Sequence, residues 1–170
     1  MNNKISTKTY LNTFSGQNFY IIEIDGRSLE DVILEFRPDI VKGIVPTLLN
    51  WLWNEEERKV VWERVIPMIG EKTKLPILMC SDDIDFWCTL VMVEVETKGN
   101  LVFWNKFGIE NSDVQNPDEI GKSVEWFSNI PKLSFERSEY ERVINEFRIR
   151  LDVNQKYTPK KFEIVKEYKL

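Results

Sequence analysis

Two apolar runs separated by a tight turn constrain the fold more than any other feature of the chain. Residues 86–97 are apolar on both faces until Glu94 and Glu96, which is typical of a strand covered on both sides. Lys98-Gly99-Asn100 supplies a turn, and residues 101–107, written LVFWNKF, return as the hairpin partner. The sequence therefore predicts a sheet built around a central hairpin.

Shorter segments predict the rest of a single domain. Strands are predicted at residues 19–24, 75–80, 124–127 and 133–135, and residues 108–122 are predicted to form a polar, acidic loop. Together with a few helices they predict an α+β fold, a mostly antiparallel β-sheet with helices packed on it. The 170 residues suit one domain spanning 1–170. Residues 1–17 and 152–170 are expected to be mobile or to add edge segments.

Three capping residues predict where helices begin. Ser28 with Asp31 indicates one N-terminus, and Pro38 ends that helix. Asn54 indicates a second, because three glutamates follow it and suit the positive helix end. Ser138 opens a third predicted helix, in which Glu141 occupies the capping-box position. One apolar stripe of this helix comprises Tyr140, Val143, Ile144, Phe147 and Leu151.

Histidine is absent, and this narrows the possible chemistry. No imidazole is available as a general base, and neither Ser–His–Asp nor Cys–His catalysis can be built. Zinc sites that need histidine are excluded as well. No phosphate-binding glycine motif occurs in the sequence. We therefore expect no cofactor and no enzymatic activity, although chemistry based on carboxylates, Lys or Tyr stays open.

One dense group of potential ligands lies in residues 80–88. Asp82, Asp83 and Asp85 stand between Cys80 and Cys88. Their spacing fits neither a zinc site nor an EF-hand loop, and a turn in which the aspartates bond local backbone N–H groups explains them more simply. The alternative function that this group leaves open is a carboxylate-based or metal-assisted hydrolase using Asp82, Asp83 and Asp85.

The charge of the chain indicates the kind of partner that it attracts. The formal net charge is −5, from 28 acidic and 23 basic residues. Such a charge is explained most simply by an ordinarily soluble acidic protein. It also disfavours nucleic acid and would favour a basic protein partner through long-range attraction. No apolar run reaches the roughly 20 residues of a membrane helix, and the N-terminus lacks an apolar signal region. We therefore expect a cytoplasmic protein without membrane or nucleic-acid contacts.

Six tryptophans give the chain an unusual aromatic content. Each stands within an apolar run, where packing in the core is the commoner role. Tryptophan is also enriched in interface hot spots. Trp104, on the returning strand of the hairpin, is predicted to face outward and is the best interface candidate among the six.

Three segments resemble a group of small bacterial proteins. They are LPILMCSDDIDFWCTLVMVEVE at residues 75–96, LVFWNKFGIENS at residues 101–112, and SVEWFSNIPKLSFERSEYERVINEF at residues 123–147. In word usage and pattern these segments resemble the immunity proteins of contact-dependent growth inhibition and related polymorphic toxin systems. The resemblance covers roughly half of the chain and contains no catalytic motif.

The resemblance implies a non-enzymatic function. Immunity proteins of this kind bind the C-terminal toxin domain of a delivered effector, often a nuclease, and block its action. A basic toxin domain would be drawn to acidic loops. The residues expected to face such a partner are Asp82, Asp83, Asp85, Trp104, Glu110, Asp113, Asp118 and Glu119.

Overall fold

The structure is a computed structural model, and it describes residues 2–11, 18–40, 44–49, 55–80, 90–110 and 116–154. It confirms a single α+β domain with mostly antiparallel sheets. The strands are β1 (Ile5–Leu11), β2 (Asn18–Ile24), β3 (Arg27–Ser28), β4 (Ile44–Pro46), β5 (Lys72–Cys80), β6 (Leu90–Lys98), β7 (Leu101–Glu110), β8 (Val124–Trp126) and β9 (Leu133–Glu136). The helices are α1 (Leu29–Phe36), α2 (Glu55–Arg64) and α3 (Arg137–Asn154), with 3₁₀ helices at Thr47–Leu49 and Pro117–Glu119.

The larger sheet is built around the predicted hairpin. Its strand order is β4-β5-β6-β7-β8, and β9 also pairs with β7. Lys98 pairs with Leu101 across the turn at Gly99, whose φ of 56° suits glycine. In β6 the first four residues, 90–93, are buried on both faces, as expected of a covered strand, whereas Glu94 and Lys98 reach the surface. The prediction of a central hairpin is confirmed.

The smaller sheet has the order β1-β2-β3. The sequence pattern left residues 1–17 as a mobile or edge segment, and residues 5–11 form the edge strand β1, in which Ile5 pairs with Ile24. The Asn3 amide donates to the Ser134 carbonyl at 2.7 Å, so the start of the chain is joined to β9 in the larger sheet. Buried side chains of both sheets and of the helices belong to one core cluster.

The helices follow their predicted signals closely. The Ser28 hydroxyl accepts the Asp31 amide at 3.1 Å, and α1 ends at Phe36, two residues before Pro38. Helix α3 begins at Arg137, one residue before the predicted N-cap, and its Glu141 carboxylate accepts a bond from Arg137 instead of closing a capping box. The stripe of α3 that packs into the core comprises Tyr140, Val143, Ile144 and Phe147.

Two predictions, the helix cap at Asn54 and the mobile or edge segment at residues 152–170, fall at least partly outside the described residues. Asn54 lies outside them, although α2 begins at Glu55, where that cap predicted a helix. Residues 155–170 lie outside them too, and residues 152–154 form the last part of α3. Among the helices of the described ranges, none has the length and apolar character needed to cross a membrane.

Candidate partner-binding surface

The eight predicted partner-facing residues fall into three groups. Asp82, Asp83, Asp85 and Asp113 lie outside the described residues, because the structure describes neither residues 81–89 nor residues 111–115. Trp104 and Glu110 are buried. Asp118 and Glu119 are exposed. The sequence therefore located one exposed acidic segment correctly and misjudged the orientation of two side chains.

Trp104 faces the core, so the prediction that it faces outward is wrong. It is fully buried, and its ring makes edge-to-face contacts with Phe107, Phe135 and Tyr140 at centroid distances of 5.9, 5.1 and 6.1 Å. Its indole N–H donates to the Tyr140 hydroxyl at 3.3 Å, and that hydroxyl donates to the Val65 carbonyl at 2.7 Å. Burial raises the pKa of Tyr140 well above its ordinary value.

A β-bulge explains the orientation of Trp104. Glu94 pairs with Lys106 while Val95 pairs with Trp104, so Asn105 is an extra residue in β7. The insertion shifts the alternation of β7 by one residue, and Trp104 and Phe107 therefore share the core face despite being three apart. Strict alternation in the sequence gives no sign of this shift.

Glu110 is also turned inward, which corrects its assignment to a partner-facing loop. It is the last residue of β7, its exposure is 7%, and its carboxylate accepts the backbone N–H groups of Gly121 and Ser123. These bonds give the two N–H groups an acceptor at a turn, where the regular backbone pairing of a strand or helix is missing. Glu110 thus anchors the loop that follows it instead of facing a partner.

Arg64, the last residue of α2, holds the same loop from the other side. Its guanidinium donates to the carbonyls of Ile120 at 2.6 Å and Lys74 at 2.9 Å, and reaches that of Asp118 at 3.4 Å. Burial lowers the pKa of Arg64, and the negative charge of Asp118 acts in the opposite direction. Sequence reasoning missed this residue, because its partners lie 10 and 56 positions away.

The loop itself is locally stiff. We call residues 116–123 the anchored segment. The Asn116 side chain accepts the Asp118 amide at 3.2 Å, and Pro117 opens the 3₁₀ helix. Gly121 has a φ of 103°, and a Cβ built on it would stand 3.0 Å from the Cβ of Lys74. The Lys74 ammonium donates to the Gly121 carbonyl at 3.1 Å, which ties the segment to β5.

The anchored segment therefore presents two exposed carboxylates on a fixed backbone. Asp118 and Glu119 are exposed, while Arg64 reaches the Asp118 carbonyl and Glu110 holds the backbone just after them, at Gly121 and Ser123. Such an arrangement suits the binding of basic side chains, because little order must be gained on binding. No group of three or more potential metal-ligating residues occurs among the described residues.

Comparison of the chain with protein-family models, with curated proteins and with solved structures finds no match.

Proposed function

We propose that this protein is a non-enzymatic immunity protein that binds a basic toxin domain, a nuclease being the expected class, and neutralises it by non-covalent contact in the cytoplasm. The observation that supports the proposal most is the anchored segment. Its carboxylates on Asp118 and Glu119 are exposed, and Arg64 and Glu110 hold its backbone in place. The resemblance of three segments of the sequence to immunity proteins of toxin systems points in the same direction.

The physical argument concerns both the rate and the cost of binding. A net charge of −5 attracts a basic domain over long range and raises the association rate. Carboxylates on a backbone that is already ordered lose less conformational entropy on binding than carboxylates on a loose loop. Charged groups at the rim of an interface act mainly on the association rate and on the salt dependence. The anchored segment is suited to that role.

The first test identifies the partner. The product of the adjacent upstream gene, or its C-terminal domain, is co-expressed with this protein, and a pull-down is expected to recover a 1:1 complex. Cells that express the toxin domain should die without this protein and survive with it. Survival without it would refute the proposed function.

The second test asks whether the anchored segment contacts the toxin domain. We expect the double variant Asp118→Asn, Glu119→Gln to bind about five- to tenfold more weakly at low salt, with the difference shrinking at high salt. The charge-matched control is the double variant Glu55→Gln, Glu71→Gln. Both glutamates are exposed; Glu55 is the first residue of α2, and Glu71 directly precedes β5. Equal weakening by both double variants would show that only net charge matters and would remove the segment from the interface.

A further inference from the structure

The face of the larger sheet opposite Trp104 carries a second cluster of charged groups. Directly paired residues of neighbouring strands share a face. Lys72 of β5 pairs with Glu96 of β6, and Glu96 pairs with Phe103 of β7. Two residues earlier in β6, and therefore on the same face, Glu94 pairs with Lys106 of β7. These residues therefore line one side of the sheet, away from the aromatic core around Trp104.

The lysines of this face surround two glutamates. Lys106 lies 3.5 Å from Glu94 and Lys98 lies 3.7 Å from Glu96. The amide of Asn105, the bulged residue, donates to both carboxylates at 3.0 Å. That hydrogen bond is the main reason why the pKa of Glu96 is lowered. The positive charges of Lys98 and of two further lysines, at positions 72 and 132, lower it further.

Two aromatic rings lie among these lysines. The Lys132 ammonium stands 4.3 Å from the centre of the Phe103 ring, and the Lys106 ammonium stands 4.7 Å from that of Trp126. Both rings are partly exposed. Gly108 allows the second arrangement, since a Cβ there would stand 3.0 Å from the Trp126 ring and 2.5 Å from the Glu125 carbonyl.

We define the lysine face as Lys72, Lys98, Lys106 and Lys132 with the rings of Phe103 and Trp126. We propose that it binds an acidic segment of a partner protein. Four lysines against two glutamates leave an excess of two positive charges on a protein whose net charge is −5. Lys74 and Glu136 border the face by register and balance each other.

The chemistry of the face favours an acidic polypeptide over the other anionic macromolecules. Lys98 and Lys106 are 64% and 42% exposed, so their ammonium groups can pair with carboxylates of a bound chain. The two rings supply apolar contact area beside those charges. This inference goes beyond the proposed function and does not depend on it, because it concerns a different surface and a partner of opposite charge.

An acidic peptide is the probe. A glutamate-rich dodecapeptide containing one phenylalanine is titrated into the ¹⁵N-labelled full chain at low salt. We expect the amide resonances of residues 103, 106 and 132 and the Trp126 indole resonance to shift together, and the shifts to vanish at high salt. The double variant Lys98→Glu, Lys132→Glu should weaken binding about tenfold.

The control variant changes net charge equally at another surface. Lys59→Glu with Arg142→Glu replaces two exposed cations of α2 and α3, and we expect it to weaken peptide binding less than twofold. Equal weakening by both double variants, or shifts scattered over the protein, would overturn the proposal. So would tighter binding of a thymidine oligonucleotide to the same residues. Shifts of the same resonances on concentrating the protein alone would assign the face to a second copy and also overturn it.

Discussion

Replacing Arg64 by methionine tests whether the anchored segment is held by α2. Methionine keeps an apolar stem of similar length and removes every hydrogen-bond donor. Three backbone carbonyls lose a charged partner. That of Ile120, at 2.6 Å, is partly buried, whereas those of Lys74 at 2.9 Å and Asp118 at 3.4 Å are exposed. Water can replace the donor at Lys74, so the expected loss there is small.

The magnitude follows mainly from Ile120. A hydrogen bond to a charged group contributes about 1.5–3 kcal/mol when it is shielded from water. With partial exposure of the guanidinium, we expect Arg64→Met to lower the free energy of unfolding by about 2 kcal/mol. Urea denaturation at pH 7 measures this loss. The amides of Gly121 and Ser123, which donate to Glu110, should exchange with deuterium at least about tenfold faster.

A matched control lies on the same helix. Arg58 forms a 3.7 Å ion pair with the exposed Glu55, so Arg58→Met should cost less than about 0.5 kcal/mol. If Arg64→Met costs no more than Arg58→Met and leaves the exchange of both amides unchanged, then Arg64 does not anchor the segment. The account of Asp118 and Glu119 as preorganised carboxylates would fail with it.

Two further predictions concern backbone strain and pH. Gly121→Ala should cost about 2–4 kcal/mol in urea denaturation, since it adds strain at a φ of 103° to a close contact, whereas Gly99→Ala, at a φ of 56° with open space around the new Cβ, should cost about 1 kcal/mol; equal costs would contradict the close contact. The hydrogen bond from Arg37 lowers the pKa of Asp39 to about 2. The stabilisation from this pair is therefore complete above about pH 4, the ordinary range of an aspartate, and is lost as the pH falls toward 2. Carboxyl chemical shifts should give a midpoint near 2 that returns toward about 4 in Arg37→Gln; a midpoint already near 4 in the unchanged protein would refute the pairing.

Local signals in the sequence predicted the elements whose causes are themselves local. The turn at Gly99 and the cap at Ser28 depend on residues within three positions, and both occur as predicted. The sequence leaves residues 1–17 as a mobile or edge segment, because the strand at residues 5–11, ISTKTYL, has few apolar residues and is stabilised by pairing with β2. Its edge position agrees with one of the two alternatives that the sequence left.

Features of the candidate site depended on contacts that no short window contains. Trp104 lies on the core face because one inserted residue reverses the alternation of faces along β7, and no short stretch of the sequence marks that insertion. Glu110 was expected outside because it is charged, but the turn at residues 121–123 offers it two N–H donors. Arg64 gave no signal at all, since a basic residue at the end of a helix is ordinary. Asp118 and Glu119 are exposed, as expected of charged residues in an acidic loop, although Arg64, which reaches the Asp118 carbonyl, lies far away in the sequence.

The outer edge of β7 is divided between two strands, and this has a consequence for the behaviour of the protein at high concentration. Residues 101–104 pair with the four-residue β9, and residues 108–110 pair with the three-residue β8. A ten-residue strand left open would offer a long row of unpaired N–H and C=O groups, on which another chain could add a strand. In the described sheet this edge of β7 is instead covered by the two short strands β8 and β9, and β9 also accepts a hydrogen bond from the backbone N–H of Asn3. Deleting residues 2–4 is therefore a direct way to expose β9 and to promote self-association through strand pairing.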